Sequence, residues 1–365
     1  MFVCMMAFFS WVKKDETEID EKIKKNLDEG NIKYSDISSI SKDLELFRSL
    51  SFDNLDYHGD KCILARELII IYMSTYKKHI EQCKIENMEI IIKTIKRTIL
   101  SVNNIICNIN EQILKCFSMI RNLYNDILKL RNVYINDYCL FCIIEGILNI
   151  LNDDKMHESK SSIWGISALL SLIITNYKKA YFIYKGLISY KCIYTIPIFI
   201  NNTSQMNTPN NKIHSYILKE NDEFIGCNYS RIVAYVKLHL SVFIILNDTR
   251  EIWMYLSELL NSAYRRKTYI YFPLIYAALD TTAYYSKLTF KTFFDKLINL
   301  IKNHIIPSLE QELINKPPQP DMQKIVDYYV KKLKVEFLSN DMNSSFPEGV
   351  VVIPDERILF LGIGS

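Results

Sequence analysis

From about Lys61 onward, apolar positions recur at three- and four-residue steps almost without pause, the mark of amphipathic helices. Between 103 and 130, Ile106, Ile109, Ile113, Phe117, Ile120, Tyr124 and Ile127 form one stripe, with Asn108, Glu111, Lys115, Ser118 and Asn122 on the other face. The segment 138–151, YCLFCIIEGILNIL, is apolar nearly all round and predicts a central helix with neighbours on several sides. Residues 161–190 predict two helices broken near Asn176. A long polar loop, Asn201–Lys212, follows; a loop of that length in a helical domain is often functional. Four more helical patterns then cover 229–246, 250–266, 271–288 and 290–313. The break NKPPQP stops the pattern, because consecutive prolines cannot continue a helix, and a last helix runs from about Asp321 to Leu338.

These elements predict an all-α fold: a HEAT-like, α-solenoid-type helical domain with a short extended C-terminal tail. No repeat is strong enough to give a period. Residues 1–60 carry an apolar segment and a charged helical region, 61–346 the HEAT-like domain, and 347–365 the extended tail. In the charged region Gly30 marks a loop, and Ser39 or Ser41 is placed to cap a second short helix. Composition agrees. Hydrophobic residues make up 49%, enough for a core, and Gly and Pro number only 9 each, which favours long helices over glycine-rich α/β turns.

Charge excludes a general nucleic-acid coat: 44 basic against 41 acidic residues give +3. The nine cysteines lack a disulfide spacing and read as reduced thiols. Cys139 and Cys142, with Cys107 and Cys116, are the one set that could form a four-thiolate zinc site. All four lie on apolar helical patterns, so packing is the expectation and no metal is expected. The apolar N-terminus MFVCMMAFFSWV is too short to span a bilayer, which takes about 20 residues, and no membrane insertion is expected. No phosphate-binding glycine loop, zinc-protease motif or nucleophile elbow occurs. None of the six histidines forms a ligand-like spacing with another His or Cys. Nothing in the sequence points to an enzyme.

Basic residues are the better lead. Lys93, Lys96 and Arg97 cluster on one helix, and Arg265, Arg266 and Lys267 end another. Lys178, Lys179, Lys185 and Lys191 belong to the region before the long loop, and Lys212 and Lys219 flank its end. Each cluster also reads as a solvated face or a helix C-terminal partner. A compact polyanion would need several such heads to converge on one cleft.

The stretch SYKCIYTIP, Ser189–Pro197, ends a helix on basic and aromatic residues and exits through a cysteine into an apolar segment that proline closes. With its flanks it resembles a pattern of the Gle-one family of nucleoporins: a helix ending in basic residues, then Cys-Pro-x-x-x-Pro. Cys192 and Pro197 match, while Ile193 replaces the first proline. Other pieces follow in the same order. YCLFCIIEGILNILNDD lies upstream. Downstream come Lys212, Tyr216 and Lys219 after the loop, Arg231 and Tyr235 on the next helix, and Trp253, Leu256, Leu259, Leu260 and Asn261 in a W-x-x-L-x-x-[IL]-L-N pattern. FPEGVVVIP stands where the family has its apolar tail. The likeness covers about Ile92 to Pro354.

The resemblance implies an mRNA export factor at the cytoplasmic face of the nuclear pore. Such a protein binds a DEAD-box RNA helicase and stimulates its ATPase, with a cytoplasmic-face nucleoporin as a further partner and indirect contact with messenger ribonucleoprotein. It also implies an inositol hexakisphosphate pocket. Lys191, Lys212 and Lys219 match that pocket by position, Lys178, Lys179 and Lys185 join it by local charge, and Leu187 stands where the family has a further lysine. The alternative is a non-catalytic helical scaffold of the pore or of vesicle traffic.

Overall fold

A computed structural model describes residues 88–130, 133–152, 160–177, 180–195, 229–318 and 320–339. Every regular element among them is helical. The elements are α1 (Met88–Ile105), α2 (Asn110–Leu128), α3 (Val133–Leu148), α4 (Lys160–Asn176), α5 (Ala180–Lys191), α6 (Tyr229–Ile245), α7 (Thr249–Arg266), α8 (Tyr271–Phe290), α9 (Thr292–Leu300), α10 (Ile306–Asn315) and α11 (Pro320–Glu336). Short 3-10 turns follow α3, at Asn149–Asn152, and α5, at Ile193–Thr195. The charged N-terminal region, the long loop and the C-terminal tail lie outside the described residues.

Helices pack against the next in sequence and also against the next but one. α2, α4, α6, α8 and α11 touch in series; α1, α3 and α5 do the same, with α7 and α10 in contact further on. Two rows of stacked helices result, the arrangement of a solenoid-type domain.

Burial patterns explain the rows. α6 buries 13 of its 17 residues, which a helix does only with neighbours on every side. α7 buries Ile252, Tyr255, Leu256, Leu259, Leu260 and Ala263, a single stripe at three- and four-residue steps, so it is an outer helix. The expected central helix is α3, which packs against α1, α2 and α5 and buries Cys139, Leu140, Ile143, Ile144, Ile147 and Leu148.

Hydroxyl groups let the inner row approach closely by bonding each other or nearby carbonyls. Ser167 of α4 and Ser241 of α6 bond each other, and Ser171 donates to the Ser167 carbonyl. Thr281 and Thr282 donate to the Ala277 and Ala278 carbonyls one turn back.

The stripe expected from Ile106 to Ile127 is interrupted. α1 ends at Ile105, α2 begins at Asn110, and Ile109 is its exposed N-cap residue. Gly165 of α4 sits against this break. A Cβ there would stand 2.6 Å from the Cys107 carbonyl oxygen, so only glycine lets the turn and α4 meet. Further on, a π turn, Ile301–Ile305, joins α9 to α10 just before Pro307. Pro307 has no N–H to continue the ordinary ladder, which explains the irregular turn.

Candidate functional site

α5 carries the two candidate lysines that lie among the described residues. Lys185 and Lys191 are six residues apart, so about 9 Å along the axis and 240° around it. They leave the helix in different directions.

Lys185 turns toward α7. Its ammonium bonds Glu251 Oε1 at 2.6 Å, with about a quarter of each side chain exposed (27% and 25%). It also lies 5.3 Å from the Tyr181 ring centre and 5.4 Å from that of Phe243. Tyr181 donates to the same carboxylate oxygen at 3.4 Å. Burial pushes the Glu251 carboxyl up, but the charge and hydrogen bond of Lys185, helped by His239 and Tyr181, outweigh it, and the group stays below its ordinary value. Burial pushes the Tyr181 hydroxyl up to about 12, against the pull of Lys185. His239 of α6 completes the seam. Its Nδ1 is buried without a hydrogen-bond partner, and burial, helped by Lys185 and opposed by Glu251, lowers it to about 3. The imidazole is therefore neutral near pH 7.

The position of Glu251 follows from local sequence. Asp248 caps α7, its carboxylate accepting the Glu251 amide at 3.1 Å. In that pattern a glutamate three residues on ordinarily turns back to the cap. Here its carboxylate reaches across to Lys185 instead.

Lys191 ends α5 and turns the other way. Its ammonium donates to Asn149 Oδ1 at 2.6 Å, a neutral acceptor in the turn after α3. Burial lowers the lysine from its ordinary value, and Glu145 opposes that. The chain beyond is held firmly. Cys192 is buried, Thr195 Oγ1 donates to the Cys192 carbonyl at 2.8 Å, and Tyr255 donates to the Tyr194 carbonyl at 2.9 Å. The turn 193–195 packs on α6. Arg231, on the first turn of α6, is close enough to Cys192 and Tyr235 to act on both electrostatically. Tyr235 donates to the Leu148 carbonyl at 3.3 Å. One edge thus holds the α5 exit, the α6 entry and two cations, Lys191 and Arg231.

Lys178, Lys179, Lys212 and Lys219 lie outside the described residues. In sequence, Lys212 and Lys219 fall between Thr195 and Tyr229, the two ends anchored at this edge.

Sequence reasoning did not single out the acids that pair inside the core. Lys237 of α6 and Asp280 of α8 form an ion pair with side chains only 12% and 17% exposed. A charge flanked by apolar residues in mid-helix was the available signal, since such groups are buried only when paired. Among the described residues no group of three or more His, Cys, Asp or Glu could hold a metal ion. Burial pushes the thiols of Cys116 and Cys139 up to about 11 and 12, which disfavours the thiolate that zinc requires. Among the described residues no helix is long and apolar enough to cross a membrane.

No protein-family model and no curated protein matches the chain. Solved structures do. Two from S. cerevisiae, each of a variant Dbp5 C-terminal domain bound to Gle1 and IP6, with the Gle1 also a variant in one, contain a chain similar to this one at a TM-score of 0.53 and 16% identity. The likeness covers 78% of this chain and 99% of that one. It shows a shared helical fold.

Proposed function

We propose that the chain is a non-enzymatic activator of a DEAD-box RNA helicase in messenger-RNA export, acting at the cytoplasmic face of the nuclear pore beside a nucleoporin partner. Inositol hexakisphosphate is the proposed bridging ligand. The observation that carries the reading is the fold likeness to a chain from a complex of Dbp5, Gle1 and IP6, which spans almost all of that chain. The ordered sequence pieces around Cys192, Arg231 and Trp253 support it independently.

The α5 exit suits a phosphate ligand. Lys191 bonds a neutral amide, which a phosphate oxygen can displace at little electrostatic cost. Lys185 suits one less well, because a phosphate there would compete with Glu251 and be repelled by it. In this reading Lys191, with Lys212, Lys219, Lys178 and Lys179, holds the ligand, and Lys185 holds α5 to α7. An activator of this kind needs no chemistry of its own. By binding one conformation of the helicase better than another, it shifts that equilibrium.

The test is ATP turnover by the export helicase of the same organism, with and without this chain and with and without inositol hexakisphosphate. Stimulation that rises with the ligand is expected. Complex formation without stimulation, or no complex at all, would leave the scaffold reading in its place.

A further inference from the structure

α8 and α9 meet at a corner formed by Lys291. The last turn of α8 leaves the core, and of the seven residues Lys287–Phe293 only Phe290 is not exposed. Phe290 packs against Trp253, ring centres 4.9 Å apart, and so anchors the corner. On either side of it Leu288 and Phe293 are 60% and 63% exposed. Lysines stand between and beside them: Lys287, Lys291 and Lys296, the last with its ammonium 5.6 Å from the Phe293 ring centre. None of the three forms an ion pair among the described residues. Asp295 of α9 is two residues from Phe293 and so about 200° around the helix. The stripe continues along the same face to Leu300, 43% exposed. Lys291 makes the corner with φ 48° and ψ −120°, a backbone that favours glycine and strains a lysine.

From this placement we propose that the α8–α9 corner docks on an anionic membrane surface. Leu288 and Phe293 enter the headgroup boundary, and Lys287, Lys291 and Lys296 meet lipid phosphates and carboxylates. Two features select a bilayer over a protein groove. Leu288 and Phe293 are both mostly exposed, and a lipid interface deforms around such projecting apolar residues. Its cations surround the apolar pair, which is the pattern of interfacial membrane contacts. The contact is peripheral and independent of the α5 exit.

The test is co-sedimentation of the full chain with phosphatidylcholine vesicles, with and without phosphatidylserine. Binding that requires phosphatidylserine and weakens with added salt is expected. Joint replacement Leu288→Asp and Phe293→Asp lowers the affinity at least about tenfold. Each lysine changed to glutamate lowers it about fivefold or more. Helical circular dichroism and melting temperature, unchanged for these exposed positions, show that the variants fold. Absence of binding to anionic vesicles, or binding that survives the paired aspartates, overturns the proposal. Recovery of an acidic protein partner through the same corner, with no lipid binding, overturns it too.

Discussion

Two lysines on one short helix have opposite settings. Lys185 lies in a seam of ionisable and aromatic groups between α5, α6 and α7, and its partner is a carboxylate. Lys191, six residues on, ends the helix at an edge where its hydrogen bond goes to a neutral amide. The seam is closed: charge meets charge, and His239 is neutral beside them. At the edge the bonded partner is neutral, and Glu145 attracts Lys191 through charge alone. Local sequence gives both residues the same appearance, so the partner, not the residue type, separates a charge that serves the fold from one available to a ligand.

The hardest way to break the contrast is to unpair the seam. Glu251→Ala removes the carboxylate that the partly buried Lys185 ammonium bonds and should cost about 3 kcal/mol in urea unfolding. The pair Lys185→Met with Glu251→Leu should restore most of that loss, since well-packed apolar replacements of a buried ion pair are often neutral. If Glu251→Ala proves harmless, Lys185 is not a fold-holding residue, and the reading that leaves it out of the ligand pocket fails with it.

A second break uses pH. His239 is a base with its folded value lowered to about 3, so the unfolded chain binds its proton first. The stability tied to its neutral form is complete above about pH 6.5 and falls as pH drops below that, the loss reaching about 2 kcal/mol by pH 5. The groups facing it are Tyr184 and Lys185 from α5 and Glu251 and Tyr255 from α7. Glu251 keeps its charge through that window because its own value is lowered. His239→Phe should therefore flatten the stability profile between pH 7 and 5 in denaturant titrations. An unchanged slope would mean that His239 is not buried in its neutral form.

Much of the helical framework was readable because burial imposes period. The break near Asn176, the helix at 229–246 and the stop at the proline cluster appear where the spacing of apolar residues put them. The break at 106–109 was not readable. Ile106 and Ile109 continue the period, no proline or glycine marks the turn, and the glycine that accommodates it, Gly165, is more than 50 residues away. The site follows the same logic. That Lys185 and Lys191 are basic and lie on one helix is local. That one meets Glu251 and the other Asn149 depends on pairings 66 and 42 residues distant, which no periodicity encodes. The capping pattern Asp248-x-x-Glu251 even pointed the wrong way, since it keeps the glutamate at its own helix.

The smallest stability effect should come from Lys191, and its sign is informative. Burial lowers this lysine from its ordinary value, so the folded state disfavours its charge relative to the unfolded chain, and the attraction of Glu145 does not make up the difference. Removing the charge should relieve that penalty. Lys191→Met should change unfolding stability by less than about 1 kcal/mol, in the neutral or stabilising direction, because the lost hydrogen bond to Asn149 is at the surface. A charge that costs stability and bonds no carboxylate among the described residues is open to a ligand. The same variant should weaken inositol hexakisphosphate binding about tenfold, the size of one charge-assisted contact, in calorimetric titration. Lys185→Met should show the reverse pair of results, lower stability and nearly unchanged ligand affinity. If instead Lys191→Met destabilises the chain by several kcal/mol and leaves ligand binding intact, the two lysines have exchanged roles and the phosphate site is not at the α5 exit.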